Sequence, residues 1–257
     1  MLENFTSRLA ALKPVSIAEI ENVALLNRVD RKFVLTEDEL ESIIPCLIDH
    51  YYILEINDIR IFSYENNYFD TPDLQFFRDH HNGYVNRIKV RTRKYVETDM
   101  CFFEIKKKEK VERTNKHRES VPEMFSDIDE ERINMIQYYS NKNIKEIHLV
   151  LKNNFHRVTL VNNSFTERVT IDMDLHFIND KKDVDFGRIA IIEIKQDKGS
   201  TTSPLTMFLK QNTIRKQSIS KYIYGVISLN ESVKKNNFMP MIKKINKLQH
   251  YGTNGTR

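Results

Sequence analysis

The chain has 257 residues, of which 40% are hydrophobic and 30% charged, a globular balance that excludes disorder or low complexity for its bulk. Forty Lys and Arg against 36 Asp and Glu leave a net charge of only +4, which excludes a basic nucleic-acid coat by composition and shifts attention to where the bases sit. Cys46 and Cys101 show neither CxxC nor zinc-ligand spacing, which fits a reducing cytoplasm. Residues 1–30 contain no basic segment followed by an apolar one, and the longest charge-free apolar run, 42–48, is far short of a membrane span.

In chain order, Arg31 to Leu35 reads as a strand, and Thr36-Glu37-Asp38-Glu39 opens a helix toward Asp49 that Pro45 kinks or shortens. Tyr51 to Phe69 is rich in β-branched and aromatic residues, and Asp70-Thr71-Pro72-Asp73 is a turn leading into a short helix over Leu74, Phe76 and Phe77. Strands follow over Tyr84 to Val96, Met100 to Val111 and Lys116 to Val121, then a helix from Asp127 to Tyr139. Further strands cover Ile147 to Val161, Phe165 to Phe177 and Arg188 to Gln196, and Ser203-Pro204 starts a helical region to Leu229, interrupted near Lys216 to Ser218. The class expected is α+β, mainly antiparallel β. Residues 1–231 form one domain, and 232–257 a Lys- and Asn-rich segment ending in a frayed tail.

Side chains alternate along a strand, so Arg87, Lys89, Arg91 and Arg93 share one face, and Ile88, Val90 and Thr92 the other. Glu104, Lys106 and Lys108 share a face of the next strand, Lys116 and Arg118 of the one after, and Glu193 and Lys195 of a late one. Other strands add Lys32, Arg157 and Arg168. The opposite faces carry Phe103 and Ile105, Val169, Ile171 and Met173, or Ile192 and Ile194. A solvated outer face is the plain reading of any one such strand. With helices packed outside against the apolar faces, the bases instead turn inward and line a closed β tunnel. Like charges a few ångströms apart cost on the order of several kcal/mol at intermediate dielectric, so such a lumen calls for a dense anion, as in polyphosphate or a nucleoside triphosphate. Arginine forks and mobile lysines suit successive phosphates. The basic strands alternate with aliphatics and offer no recognition helix, so nucleic acid is not the expected partner.

Seven segments together resemble the VTC domain, the polyphosphate polymerase module of the vacuolar transporter chaperone, within the CYTH-like triphosphate tunnel metalloenzyme superfamily. They are Arg28 to Phe33, Tyr68 to Pro72, Asn86 to Tyr95, Phe103 to Lys106, Arg168 to Asp172, Ile192 to Lys195 and Ser220 to Tyr222. The resemblance implies ATP and polyphosphate as partners and Mn2+ or Mg2+ as cofactor. It makes Lys32, Arg91, Arg93, Lys106, Lys116, Arg157, Arg168 and Lys221 phosphate contacts and Glu193 the metal ligand, with Arg118 and Lys195 as neighbours. Ser218 stands where the vacuolar enzymes carry Lys, with Arg215 or Lys216 as compensation. Phosphate-sensing and membrane-spanning domains do not accompany the module, which resembles a stand-alone bacterial form whose membrane association would come through a separate membrane protein.

The expected reaction transfers the ATP γ-phosphate to polyphosphate, with Arg91, Arg93, Lys106 and Arg157 stabilising the transferring group. Arg87 and Lys89 belong to the phosphate-binding lumen, and Glu104 assists Glu193 at the metal or pairs with a neighbouring base. Asp172 and Asp174 share the face of Arg168 as secondary ligands or salt-bridge partners. A triphosphatase or a non-catalytic polyphosphate or inositol-polyphosphate binding module would use the same lumen. His80, His81 and His117 lack ligand spacing and are set aside as exposed, and no glycine precedes a Lys-Ser/Thr pair, which excludes a P-loop.

Overall fold

The structure, a computed structural model, describes residues 2–21, 28–109, 114–197 and 202–253. The β-rich segments become one eleven-stranded sheet with its main strands in the order β2-β11-β9-β8-β4-β5-β6-β7. These strands are β1 (Lys13–Val15), β2 (Arg28–Thr36), β3 (Tyr51–Leu54), β4 (Phe62–Asp70), β5 (Arg87–Tyr95), β6 (Met100–Lys108), β7 (Thr114–Val121), β8 (His148–Asn162), β9 (Glu167–Ile178), β10 (Asp183–Asp185) and β11 (Ile189–Asp197). Every pairing is antiparallel except β1 with β3. No ladder joins β2 to β7 among the described residues. The curled sheet is brought together across its concave face by side chains instead: Lys89 of β5 senses the charges of Lys32 on β2 and Glu193 on β11.

The helices are α1 (Leu2–Leu9), α2 (Ile17–Glu21), α3 (Glu37–Ser42), α4 (Ile44–His50), α5 (Gln75–His81), α6 (Glu130–Ser140), α7 (Pro204–Gln211), α8 (Lys221–Leu229) and α9 (Met239–Thr253). Thr36 and Glu39 make the expected capping box, and the expected helix is split into α3 and α4, with Pro45 in the first turn of α4 as its second residue. The elements α1, β1, α2 and β10 were not anticipated, being short and weakly patterned. The strand expected to run to Val111 and the frayed tail extend beyond the described residues. None of the described helices is long and apolar enough to cross a membrane.

The outer layer follows the alternation. Phe33, Leu35, Val169, Ile171, Ile192 and Ile194 pack with residues of α1, α3, α4 and α7. Ile88, Val90, Phe103 and Ile105 pack with Phe76 of α5 and Ile136 of α6.

Helix α8 departs from this layer and lies on the concave side. Its Tyr222, Ile223, Val226 and Ile227 join a cluster with Val34, Tyr64, Leu151, Phe177, Ile189 and Ile191. Val34 shares its strand face with Lys32, and Ile191 shares its face with Glu193, so the inward face is polar at one end and apolar under α8. On β9 the change is made by a bulge. Asp174 adopts a left-handed φ of 49°, the register with β8 slips between Asn154 and His156, and Leu175 and Phe177 turn inward in place of even-numbered residues. Asp174 therefore leaves the face of Arg168 and Asp172 and meets His156 at 3.4 Å.

Two contacts seat α8. Asp70, fully buried, accepts backbone hydrogen bonds from Thr71 (2.7 Å), Phe76 (2.8 Å) and Phe77 (3.0 Å), and the Tyr222 hydroxyl donates to the same carboxylate. Gly225 allows the close approach, since a Cβ there would meet Phe177 Cδ1 at 2.7 Å and Leu151 Cδ2 at 3.0 Å. Gly225→Val should therefore destabilise the fold by roughly 2–3 kcal/mol in chemical denaturation. An unchanged midpoint would mean that α8 does not sit this tightly.

Candidate functional site

The cations of β5, β6 and β7 meet in cross-strand rungs set by the register. Lys89 lies opposite Lys106, and Lys106 opposite Lys116. In the next rung Arg91 lies opposite Glu104, and Glu104 opposite Arg118. Direct like-charge opposition opposes folding, and the three-lysine rung has no carboxylate of its own.

Glu104 relieves this from the adjacent rung. It is fully buried and receives Arg91 Nε at 2.7 Å and Lys116 Nζ at 2.6 Å, with Arg118 Nε at 3.7 Å. Burial works against its ionisation, but Arg91, Arg93 and Lys106 outweigh it and hold the carboxyl well below the usual range. Asp172 is the second hub. Arg157 grips it with two nitrogens, at 2.5 and 2.8 Å, and Lys221, at the first position of α8, donates to it as well. This is the salt-bridge alternative for Asp172, with its oxygens occupied.

Glu193 differs from both. Its oxygens lie 3.7 Å from Lys32 and 3.6 Å from Lys195, beyond good hydrogen bonding, and its side chain is 19% exposed. Burial opposes its charge, yet Lys32, Lys195, Arg157 and Lys221 keep it ionised. Among the described residues no group of three or more His, Cys, Asp or Glu could hold a metal ion. An ionised, loosely held carboxylate still fits a hard cation that takes its remaining ligands from phosphate oxygens.

Lys89, Arg93 and Lys106 make no ion pair among the described residues. Arg93 donates from Nε to Asn66 Oδ1 at 2.8 Å and also meets the Tyr95 hydroxyl. Burial, then Lys32, Arg87 and Arg91, push the Lys89 ammonium down to about 7. Arg91, then burial and Arg93, depress Lys106 strongly, while burial lowers Lys221 to about 8. Arg87 donates to Tyr84 O at 3.0 Å, and Arg168 reaches the Ile20 carbonyl at 2.5 Å.

The alternation of bases with aliphatics on their own strands hid aromatic supports on neighbouring strands. The guanidinium carbon of Arg157 lies 4.9 Å from the Tyr64 ring centroid, that of Arg93 5.3 Å from the same ring, and that of Arg118 3.5 Å from Phe102. Tyr68 accepts from Arg91 Nη1 at 3.2 Å. The period-two run Phe62, Tyr64, Asn66, Tyr68 puts these residues on one strand face but does not say which bases they meet. Ser218 lines a cavity of about 290 Å³ beside Lys89 and Lys106, whereas Arg215 and Lys216 are exposed and outside its lining, so they do not substitute for a base at position 218.

The family model for the VTC domain matches residues 27–230. No curated protein sequence matches the chain. Among solved structures, a candidate adenylate cyclase of Bacillus halodurans is 13% identical with a TM-score of 0.49, covering 77% of this chain and 96% of that one. The PH1819 protein of Pyrococcus horikoshii is 13% identical with a TM-score of 0.46, covering 79% and 99%. HpAC1 of Hippeastrum, a candidate adenylyl cyclase described as having a dominant triphosphatase activity, is 14% identical with a TM-score of 0.42, covering 76% and 93%.

The lysine rung makes a prediction about stability. Because the folded value of Lys89 lies below its ordinary 10.5, the unfolded chain binds more protons between about pH 7 and 10.5, and stability should rise with pH across that window. Lys89→Met should stabilise the ligand-free protein by up to about 1 kcal/mol at pH 7, and by less at pH 9.5. It should also shrink the rise in melting temperature produced by inorganic tripolyphosphate. A lower melting temperature for the variant at pH 7 would contradict the repulsion.

Proposed function

Because the chain belongs to the VTC domain family, we propose that it is a metal-dependent phosphotransferase that adds the γ-phosphate of ATP to polyphosphate within the concave face. The observation that carries this reading is the set of cations without a direct ion pair among the described residues, Lys89, Lys106 and Arg93, beside fixed ones, Arg91 and Arg157, in a lumen with one loosely held carboxylate.

Phosphoryl transfer needs positioning and neutralisation of charge spread over equatorial oxygens more than covalent assistance. Glu104 fixes Arg91 and Asp172 fixes Arg157 and Lys221 before substrate arrives, so these donors need little reorganisation during the reaction. Lys89, Lys106 and Arg93, which make no ion pair among the described residues, would gain a directly paired counter-charge from the substrate. An oxygen of the polyphosphate terminus attacks the γ-phosphorus, the bond from that phosphorus to the β,γ-bridging oxygen breaks, and ADP leaves with the electron pair. Glu193 would hold Mn2+ or Mg2+, which when bound neutralises phosphate oxygens. Lys32, Arg87, Lys116, Arg118, Arg168 and Lys195 extend the same basic surface. A cytoplasmic location, with membrane association only through a separate protein, belongs to the same proposal.

Purified protein supplied with ATP, Mn2+ and a short polyphosphate primer should lengthen the primer and release matching ADP, resolved by gel and nucleotide assay. Glu193→Ala should lower that rate about 100-fold or more. Orthophosphate without polymer would assign a triphosphatase, and tight polyphosphate binding without turnover a binding module.

A further inference from the structure

His80 was set aside in the sequence as exposed, yet it is half-buried at the end of α5, and its Nε2 is a buried polar atom with no hydrogen-bond partner. The ring is set edge-on to Tyr222 with centroids 6.4 Å apart. It lines the cavity of about 290 Å³ together with Arg87, Lys89, Lys106 and Lys108 from β5 and β6 and with Ser218 and Ser220, which precede α8. The cations form two adjacent cross-strand rungs, Arg87 opposite Lys108 and Lys89 opposite Lys106. Buried polar atoms are normally satisfied, and one orphaned in a basic cavity is an opening for a ligand.

We propose that His80 is a phosphate-binding residue: a phosphoryl group seated in this cavity causes its imidazole to take up a proton from solvent and donate a hydrogen bond from Nε2. In the ligand-free protein every charged group that lines the cavity among the described residues disfavours that proton. These groups are Arg87 and Lys89 on β5 and Lys106 and Lys108 on β6, while the segment before α8, α8 itself and the approach to α9 present the uncharged Ser218, Ile219, Ser220, Tyr222, Ile223, Phe238 and Met241. Burial first, then Lys89 and Arg87, drive the imidazole down to about 2. One negative charge about 4 Å away at intermediate dielectric raises such a group by about three pK units. A terminal phosphoryl carries nearly two, enough to bring His80 into the neutral range. The anion then gains a donor that is uncharged in its absence and adds nothing to the repulsion of the empty cavity. This inference rests on the reading of the lumen as a polyphosphate site.

Titration calorimetry with inorganic tripolyphosphate, without metal, at pH 7.5 in two buffers of different ionisation heat measures both affinity and proton uptake. The wild-type chain should take up protons, and His80→Gln should bind about tenfold more weakly and take up fewer. Imidazole 15N spectra of the wild-type protein give the same answer without a variant: His80 should be neutral when free and an imidazolium when saturated. A His80 that stays neutral in the saturated complex, or a His80→Gln protein with wild-type affinity and proton uptake, would overturn the inference and leave the lumen reading intact. Absence of any tripolyphosphate binding would overturn both.

Discussion

Repulsion among cations on the concave face is the constraint around which the rest of the site is arranged. A curled antiparallel sheet whose basic faces point inward sets ammonium and guanidinium groups directly opposite one another, and only a few carboxylates are available to separate them. Two of these, Glu104 and Asp172, are spent as hubs, each bound by several cations and each almost wholly buried. They keep neighbouring bases charged and oriented. The cations they do not reach are held in a high-energy arrangement that an incoming anion relaxes, so the free energy of binding is partly stored during folding.

This division sorts the bases into two kinds. Arg91 and Arg157 are fixed by bidentate contacts or neighbouring hydroxyls and supported by aromatic rings, which suits groups that must meet a developing charge without moving. Lys89 and Lys106 are point donors whose ammonium groups burial and neighbouring cations depress, which suits a ligand that brings its own negative charge. Glu193 stands between, ionised but loosely held.

The placement of the bases was legible because a strand reports its two faces with period two, and the observed clusters of Ile88, Val90, Phe103, Ile105, Ile192 and Ile194 follow that reading residue by residue. What escaped it has physical reasons. Val34, Leu151 and Ile191 are apolar on the same strand face as the bases, and alternation within short windows cannot show that one face changes character along its length. The position of α8 follows from that change and was hidden with it. The bulge at Asp174 depends on a single backbone conformation, and it falsified the shared face of Asp172 and Asp174. The supports Tyr64, Asn66 and Tyr68 lie on a different strand from the arginines they hold, a proximity that only the sheet order reveals.

That one residue at φ 49° has an architectural consequence. Without the extra residue on β9, Leu175 and Phe177 would face outward and the polar lining would continue toward β10. The socket that receives α8 would lose two of its walls. The backbone of Asp174 therefore marks the border between two surfaces on one concave face: a wet basic wall and the dry bed on which α8 lies.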